Sequence, residues 1–367
     1  MRITGLDIHE VAVDGRQSWV FVQVHAGDGI SGLGEMNPSA PRRACLDAVR
    51  EIGDALHGRD PRRTAEIAAF LEPEKLDRAG VHAFSAVEQA LWDILGKSLG
   101  KPVHALFGER IHREIPVYAN ITRGTRELTP RAFARSAAGA AADGYTAMKL
   151  APFGGELMKR DRAAAVANGI ECARAVRESI GPEADLMLDC YGIFSAAEAL
   201  RIAAGVADLG LYWLEEPVAE DDVEGYRRVK GETGLRLAGG ERFMFRKGFR
   251  PALEAALFDV AMPDATIVGG AGELWEVAGM AADRGIATAP HGPFGPVLTA
   301  VQAQVMAAQP SFLVLEHAWG QVPWREDLVQ PRETVRDGRL RLPGGPGYGI
   351  ELNLEEVSSR ALQPGSG

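Results

Sequence analysis

The chain has 367 residues, of which 46% are hydrophobic and 25% charged, with 43 glycines and 21 prolines. This is an ordinary globular composition, and the length suits two domains or one large barrel with additions. The net charge of −10 disfavours nucleic acid or an anionic membrane surface as a partner. It does not exclude an anionic small substrate, because the local charge at a site can oppose the overall charge.

Cysteine usage and the N-terminus indicate the compartment. Cys45, Cys172 and Cys190 are an odd, sparse set without CxxC spacing, which is not a disulfide framework. The opening "MRITGLDIHEVAVDG" lacks the apolar core of a signal peptide, and no run of 18 apolar residues predicts a membrane span. We therefore expect a cytoplasmic protein, and we expect it to assemble as a homo-oligomer.

The first part of the chain predicts an α+β domain over residues 1–114. "SWVFVQVHAGDGISGLGE" alternates apolar and polar residues around "GDG", which predicts a β-hairpin. "PRRACLDAVREIGDAL" and "SAVEQALWDILGKSLG" have helical patterns. In the second of these, Ser85 is the predicted N-cap, Glu88 occupies the capping-box position and Gly100 closes the helix.

From about Ile115 onward, short apolar runs alternate with Ala-rich helical stretches. The apolar runs are "IPVYAN", "YTAMKL", "ADLMLD", "LGLYWLE", "GLRLAGGE", "FDVAMPD", "GIATAPH" and "SFLVLE". Eight strands alternating with helices over about 200 residues are typical of a (β/α)₈ barrel, which we place at 115–335. The segment 336–367, with "GGPGYGIELNLEEV", predicts a strand-and-turn tail that returns to the first domain.

Polar residues stand at the tips of the last six predicted barrel strands, at intervals of 23 to 27 residues. They are Asp189, Glu215, Glu241, Asp264, His291 and Glu316. One βα unit has about this length, so these residues hold equivalent places at the C-terminal face, where barrel enzymes keep their active sites. A single acid there is usually a helix cap or a solvated loop residue, and a single histidine is usually structural. The regular series favours a functional site.

Asp189, Glu215 and Glu241 lie on consecutive predicted strands, and three carboxylates that meet there need a cation to stay ionised. Oxygen ligands without Cys or His select Mg²⁺, with Mn²⁺ as a substitute. The spacing assigns Glu215 as the ligand. The adjacent Glu216 then faces away or pairs with a nearby Arg or Lys.

Asp264 and His291 follow neighbouring strands, so the carboxylate can hold one imidazole nitrogen and leave the other as a general base. A metal beside such a base is suited to removing a proton α to a carboxylate. Lys149 shares a strand face with Ala151 and should point into the barrel. It is either a counter-ion for the metal carboxylates or a catalytic group.

"LMLDCYG", "WLEEPV", "AGGERF", "MPDATIVGG", "APHGP" and "LVLEH" resemble motifs of the enolase superfamily, within its mandelate racemase-like group. "SAVEQALWDILGKSLGKPVHALFG" and "PGYGIELN" resemble the capping domain and C-terminal return of the same proteins, so the resemblance covers nearly the whole chain. It implies a modified (β/α)₇β barrel with an α+β cap, Mg²⁺ and removal of an α-proton. It places the metal on Asp189, Glu215 and Glu241, and the dyad on Asp264 and His291. Glu316 matches an acid that hydrogen-bonds the substrate carboxylate or enolate oxygen.

The sequence departs from the family at the second predicted strand, where Lys149-Leu150-Ala151 replaces Lys-X-Lys. A racemase needs a base on each face of the α-carbon, whereas dehydration needs one base and an acid for the leaving hydroxyl. We therefore expect an acid-sugar dehydratase acting on an aldonate or aldarate. The acid is His291 itself, or Tyr191, where some family dehydratases carry a second His; a packing or substrate-contacting role for Tyr191 stays open.

Three alternatives remain open: a racemase or epimerase, a sugar-lactone cycloisomerase, and a non-catalytic binding protein on the same barrel. An amidohydrolase is disfavoured, because "YANIT" lacks the His-X-His that such barrels carry after their first strand. The cap loops at about Asp14 to Trp19 and Met36 to Arg43 are expected to close over the substrate.

Overall fold

The fold was analysed in a computed structural model, which describes residues 1–14, 17–37 and 41–362. Its N-terminal part is an antiparallel sheet covered by helices. Strands β1 (Ile3–Asp14), β2 (Gln17–Ala26) and β3 (Ser31–Met36) pair in that order, and the turn at "GDG" joins β2 to β3 as predicted. The helices of this part are α1 (Arg42–Leu56), α2 (Thr64–Leu71), α3 (Arg78–Leu99) and the short α4 (His104–Phe107). Apolar faces of β2, α1 and α3 form the core of this cap.

Helix α3 begins earlier than the sequence predicted, so the assignment of Ser85 as N-cap is wrong. The N-cap is Asp77, whose side chain accepts a hydrogen bond from the backbone N–H of Gly80. The apolar pattern continues upstream of Ser85, which lies inside the helix and donates to the carbonyl of Val81. Gly100 ends the helix in the left-handed conformation, as expected.

Strand β3 packs against α3 so closely that only glycine fits at two of its positions. A Cβ at Gly34 would lie 1.9 Å from the carbonyl oxygen of Ala86, and one at Gly32 would lie 2.0 Å from that of Ala90. The sheet and helix of the cap therefore meet backbone to backbone.

We expect Gly34→Ala to destabilise the protein by about 1–3 kcal/mol or more, because neither backbone can yield without separating β3 from α3. Urea denaturation measures the change. Gly5→Ala on β1 is the matched control, since nothing lies within 4 Å of a Cβ built there. Equal loss in the two variants would contradict this account of the packing.

The remainder is a barrel of parallel strands surrounded by helices. The strands are β4 (Glu114–Asn120), β5 (Ala147–Leu150), β6 (Asp185–Asp189), β7 (Leu211–Glu215), β8 (Leu237–Gly239), β9 (Val260–Ala261), β10 (Ala287–Thr288) and β11 (Leu315–Ala318). They pair in sequence order from β4 to β10, and β11 pairs with β4. Thr288 on β10 exchanges backbone hydrogen bonds with Ser311 and Leu313 just before β11, which closes the barrel.

The helices around the barrel follow the predicted Ala-rich segments. They are α5 (Pro130–Ala142), α6 (Gly155–Arg160), α7 (Arg162–Ile180), α8 (Ala196–Gly205), α9 (Val223–Thr233), α10 (Phe245–Glu254), α11 (Ala271–Ala282) and α12 (Pro296–Met306). The expected barrel with an α+β cap is therefore confirmed.

The C-terminal tail returns to the cap. The elements after β11 are β12 (Val329–Gln330), β13 (Val335–Arg336), β14 (Arg339–Arg341), β15 (Glu351–Leu352) and α13 (Leu354–Ser359). Ala12 and Glu10 of β1 exchange backbone hydrogen bonds with Arg360 and Leu362. Besides the expected strands and turns the tail contains α13, where two acidic residues in the first turn favour a helix. The domain limits 1–114, 115–335 and 336–367 and the homo-oligomer stay predictions.

Two buried carboxylates of the cap dock it on the barrel. Glu35 accepts hydrogen bonds from the backbone N–H groups of Gly295 and Leu298 at the start of α12. Glu88 accepts from Ala271 and Gly272 at the start of α11, so its predicted capping-box role is wrong. Helix N-termini favour such anions because their first N–H groups lack partners within the helix. No helix in the described part of the chain is long and apolar enough to cross a membrane.

Candidate active site

The barrel interior is apolar at one level and polar at the next. Because strand side chains repeat every two residues, the residue two places after an inward apolar side chain also points inward. The apolar level contains Tyr118, Ala147, Met187, Trp213, Met262, Ala289 and Val314. Two residues further along these strands stand Asn120, Lys149, Asp189, Glu215, Asp264, His291 and Glu316. These predicted residues therefore converge at the carboxyl ends of the strands, and Glu241, two residues after β8, meets them at His291.

His291 is held by Asp264 in the expected way. Its Nδ1 lies 2.7 Å from Asp264 Oδ2, while the other oxygen of Asp264 accepts from the backbone N–H and the hydroxyl of Thr266, both at 2.7 Å. The carboxylate can only accept, so Nδ1 carries a proton, and in the neutral imidazole Nε2 presents its lone pair. This nitrogen faces Glu241 Oε2 at 3.5 Å and Glu316 Oε2 at 4.0 Å.

The charge on His291 is set by its acidic neighbours. Burial alone disfavours the imidazolium, but Glu241, Glu316 and the hydrogen bond to Asp264 together raise the pKa of His291 to about 9. A cation bound to Glu241 would remove part of this effect and lower the pKa towards neutrality.

Lys149 is buried between two carboxylates. Its Nζ lies 2.5 Å from Glu215 Oε1 and 2.8 Å from Glu316 Oε1, and only 1% of its side chain is exposed. Burial opposes its charge, but these two acids outweigh burial and hold the pKa of Lys149 well above its usual value. The ammonium therefore stays protonated, which fits a counter-ion better than a base.

Glu316 is fixed from several sides. Asn120 Nδ2 donates to its Oε1 at 2.7 Å, and the backbone N–H of Gly292 donates to its Oε2 at 2.9 Å. Burial opposes its ionisation, but Lys149 and His291 lower the pKa of Glu316 to about 2. It is therefore a permanent anion beside the dyad.

Asp189, Glu215 and Glu241 lie at the tips of neighbouring strands, as predicted, with Asp189 level with Glu215 in the β6–β7 register. Their oxygens are engaged by protein groups. Asp189 accepts from the backbone N–H of Tyr191, Glu215 from Lys149 and Trp213, and Glu241 pairs with Arg242. As these side chains stand, no three His, Cys, Asp or Glu of the described residues are grouped as they would be around one metal ion.

The chemistry of these three donors nevertheless fits a hard divalent cation. All are buried carboxylates without Cys or His among them, as Mg²⁺ or Mn²⁺ requires. Burial raises the pKa values of Asp189 and Glu215, and the Glu241 carboxylate adds to both rises.

We expect Mg²⁺ affinity to rise with pH. Burial raises the pKa of Asp189 to about 7 and that of Glu215 to about 8, so each acid must lose its proton before it can bind a cation. Titration calorimetry should show affinity increasing about tenfold or more between about pH 6 and about pH 8, with proton release on binding. Affinity that does not change over this interval would contradict the assignment of these ligands.

The second acid of the Glu215-Glu216 pair has a different environment. Glu216 is buried, with φ of 43°, and points away from the barrel axis to pair with Arg242, while the backbone N–H of Gly240 donates to its Oε1 at 2.9 Å. The prediction that Glu216 pairs with a nearby base is confirmed. Arg242 also donates to the carbonyl of Tyr191, so the pair stabilises the turn after Asp189.

Tyr191 lies at the rim of the site. Its backbone has a left-handed φ of 57°, and about a third of its side chain is exposed (36%). It stands two residues beyond Asp189, on the same side of the mouth.

Sequence reasoning missed Asn120, Trp213 and Thr266, which contact Glu316, Glu215 and Asp264. Asn120 could have been found, because it ends a predicted strand at the same level as the other tips. Part of each predicted cap loop, residues 15, 16 and 38–40, lies outside the described residues. In the described part, Gln17 reaches the barrel mouth at Arg123 and Gln321.

Two family models together match most of the chain. Residues 8–108 match the N-terminal domain of mandelate racemase / muconate lactonizing enzyme, and residues 132–357 match the enolase C-terminal domain-like family. A solved mandelate racemase/muconate lactonizing enzyme-like protein from Rubrobacter xylanophilus superposes with a TM-score of 0.91. It is 30% identical and covers 99% of this chain and 98% of its own.

Curated relatives extend this similarity to named enzymes. The D-gluconate dehydratase of Thermoproteus tenax is 31% identical over 353 residues, which is 94% of this chain and 70% of that protein. The D-galactarolactone cycloisomerase of Agrobacterium fabrum is 31% identical over 365 residues, or 94% of this chain and 91% of that protein. With both family domains present and relatives of this identity, the chain belongs to the enolase superfamily, in its mandelate racemase / muconate lactonizing enzyme group.

Proposed function

We propose that the protein is a Mg²⁺-dependent dehydratase that converts a sugar acid into a 2-keto-3-deoxy acid. The observation that carries the proposal is the imidazole of His291, oriented by Asp264 and facing the carboxylates of the barrel mouth. The relative from Thermoproteus tenax, named a D-gluconate dehydratase, supports the substrate class.

Asp189, Glu215 and Glu241 would hold the ion. When bound, Mg²⁺ supplies positive charge that stabilises the substrate carboxylate as it gains electron density. Lys149 adds a permanent cation at the same level, and Glu316 and Asn120 keep that cation in place. These groups position the carboxylate end of the substrate with its α-carbon towards His291.

His291 then removes the C2 proton through Nε2. The electron pair of the broken C–H bond moves into the carboxylate to give an enediolate, and Asp264 stabilises the imidazolium that forms. Return of these electrons forms a C2–C3 double bond while the C3–O bond breaks. The leaving hydroxyl takes a proton, from the imidazolium or from Tyr191, and departs as water; the resulting enol tautomerises to the 2-keto acid.

The opposite face of the α-carbon lacks a second lysine. Ala151, where the family carries that residue, is buried and its backbone N–H bonds Thr122. One base suffices for elimination, whereas inversion requires a proton donor on the other face. This asymmetry favours dehydration over racemisation.

A screen of aldonates and aldarates for 2-keto acid formation, with Mg²⁺ and with EDTA, tests the proposal. We expect at least one substrate to give a 2-keto acid that disappears with EDTA. Binding of sugar acids without any product would instead indicate the non-catalytic alternative.

A second candidate is a sugar-lactone cycloisomerase, favoured by similarity to the Agrobacterium fabrum enzyme. Adding aldarolactones to the same screen separates the two functions. Lactone conversion without loss of water, and no reaction of any open-chain acid, would select the second candidate.

A further inference from the structure

Arg123 stands at the barrel mouth on the side of the base. It lies in the turn Ile121–Gly124, directly after β4, whose last residue Asn120 bonds Glu316. Its guanidinium carbon is 5.6 Å from the centre of the Phe294 ring, and that ring packs edge-on against His291 with centroids 5.8 Å apart. The guanidinium is therefore separated from the imidazole by a single aromatic ring.

Among the side chains that the structure describes, which exclude those of residues 14–16, no carboxylate forms an ion pair with Arg123. Its contacts there are the Phe294 ring and the side-chain oxygen of Gln17, 3.3 Å from its NH1. The other two cations of the mouth differ, since Lys149 and Arg242 are each paired with two acids.

Two amide side chains complete this part of the mouth. Gln321, beyond β11, donates through Nε2 to the same oxygen of Gln17 at 2.9 Å. Its own Oε1 is buried and has no hydrogen-bond partner among the described residues.

We propose that Arg123, flanked by Gln17 and Gln321, binds a second carboxylate at the far end of the substrate, so that the preferred sugar acid is a diacid, an aldarate. This inference rests on the proposed function for the position of the first carboxylate. A guanidinium presents a planar fork of donors that matches a carboxylate in charge and shape. The terminal hydroxymethyl group of an aldonate carries no charge to match that guanidinium.

Through the Phe294 ring, the guanidinium carbon of Arg123 lies no more than about 11 Å from the centre of the His291 ring. Five C–C bonds of about 1.5 Å carry the second carboxylate of a six-carbon diacid roughly 6–7 Å from the first. The first would sit at Lys149 with C2 at His291, and the far end then extends past Phe294 towards Arg123. Sugar hydroxyls along the chain would meet the amides of Gln17 and Gln321.

The test compares each six-carbon aldarate with the aldonate of the same configuration, for example D-galactarate with D-galactonate, in the presence of Mg²⁺. Titration calorimetry gives binding, and 2-keto acid formation gives kcat/KM. Wild-type protein should prefer the diacid in both. Arg123→Gln should weaken binding and kcat/KM for the diacid about 10- to 100-fold, while the monoacid changes less than about threefold. Arg123→Lys should restore part of the diacid preference.

Arg126 is an exposed arginine in the following loop, and Arg126→Gln is the matched control. It should change neither binding nor kcat/KM for either substrate. The inference is overturned if no diacid binds better than its monoacid, or if Arg123→Gln weakens both equally. If diacids bind in an Arg123-dependent way but no sugar acid reacts, the second-carboxylate site stands and the proposed dehydratase function fails.

Discussion

Glu215→Gln should abolish turnover and weaken Mg²⁺ binding by more than about 100-fold, whereas Glu216→Gln should keep both within about tenfold. Loss of an outer-sphere partner alone costs 10- to 100-fold in metal affinity, so loss of a charged ligand should cost more. Both acids are buried and adjacent in sequence, which makes them a matched pair.

The difference between them follows from where they point. Glu215 faces Lys149 inside the barrel, level with Asp189, while Glu216 faces Arg242 outside the proposed donor set. Glu216→Gln should instead lower thermal stability, because it removes one of the two acids that pair with Arg242. Calorimetric Mg²⁺ titration and melting curves measure both effects. Loss of metal in Glu216→Gln with retention in Glu215→Gln would reverse the ligand assignment.

Asp264→Asn should reduce turnover by about 10²–10⁴-fold, the usual contribution of a general base. Thr266 donates twice to Asp264 Oδ1 and would keep the amide oxygen of the variant in that place. The amide NH₂ would then face His291 Nδ1 and donate to it, which moves the imidazole proton to Nε2. The nitrogen that faces the substrate would lose its lone pair.

Two further readouts distinguish this role from a structural one. Mg²⁺ affinity should change only a few-fold, because Asp264 lies outside the proposed donor set. The hydrogen bond and charge of Asp264 help to raise the pKa of His291, so the acidic limb of the kcat/KM profile should move to lower pH in the variant. An Asp264→Asn variant with near-normal turnover, or one that no longer binds Mg²⁺, would contradict the assignment of Asp264 to the dyad.

The residues at the strand tips could be predicted because the βα unit of a barrel repeats at a nearly constant length in the sequence. A barrel repeats its βα unit, so residues about one unit apart in sequence meet at the same face, and this placed Asp189, Glu215, Asp264 and His291 correctly. Alternation along each strand then predicted that Lys149 points inward.

Contacts between distant segments were not predictable in this way. Glu88 fits a local capping box, yet its side chain binds the N-terminus of α11, which is distant in the chain. The sequence predicted that Glu216 could pair with a basic residue, but it did not identify Arg242 as that residue. Arg123 and Gln17 come together only when the cap is docked on the barrel. The sequence pattern of neither segment predicts that contact.

The central claim is that His291 removes the proton α to the carboxylate of a sugar acid. The direct measurement is the NMR signal of the substrate C2 proton in D₂O with Mg²⁺, followed for wild-type protein and for His291→Asn. We predict that wild-type protein removes this signal as 2-keto acid forms and that His291→Asn leaves it unchanged over the same time. Loss of the signal at the wild-type rate in His291→Asn would contradict the claim and assign the base to another group.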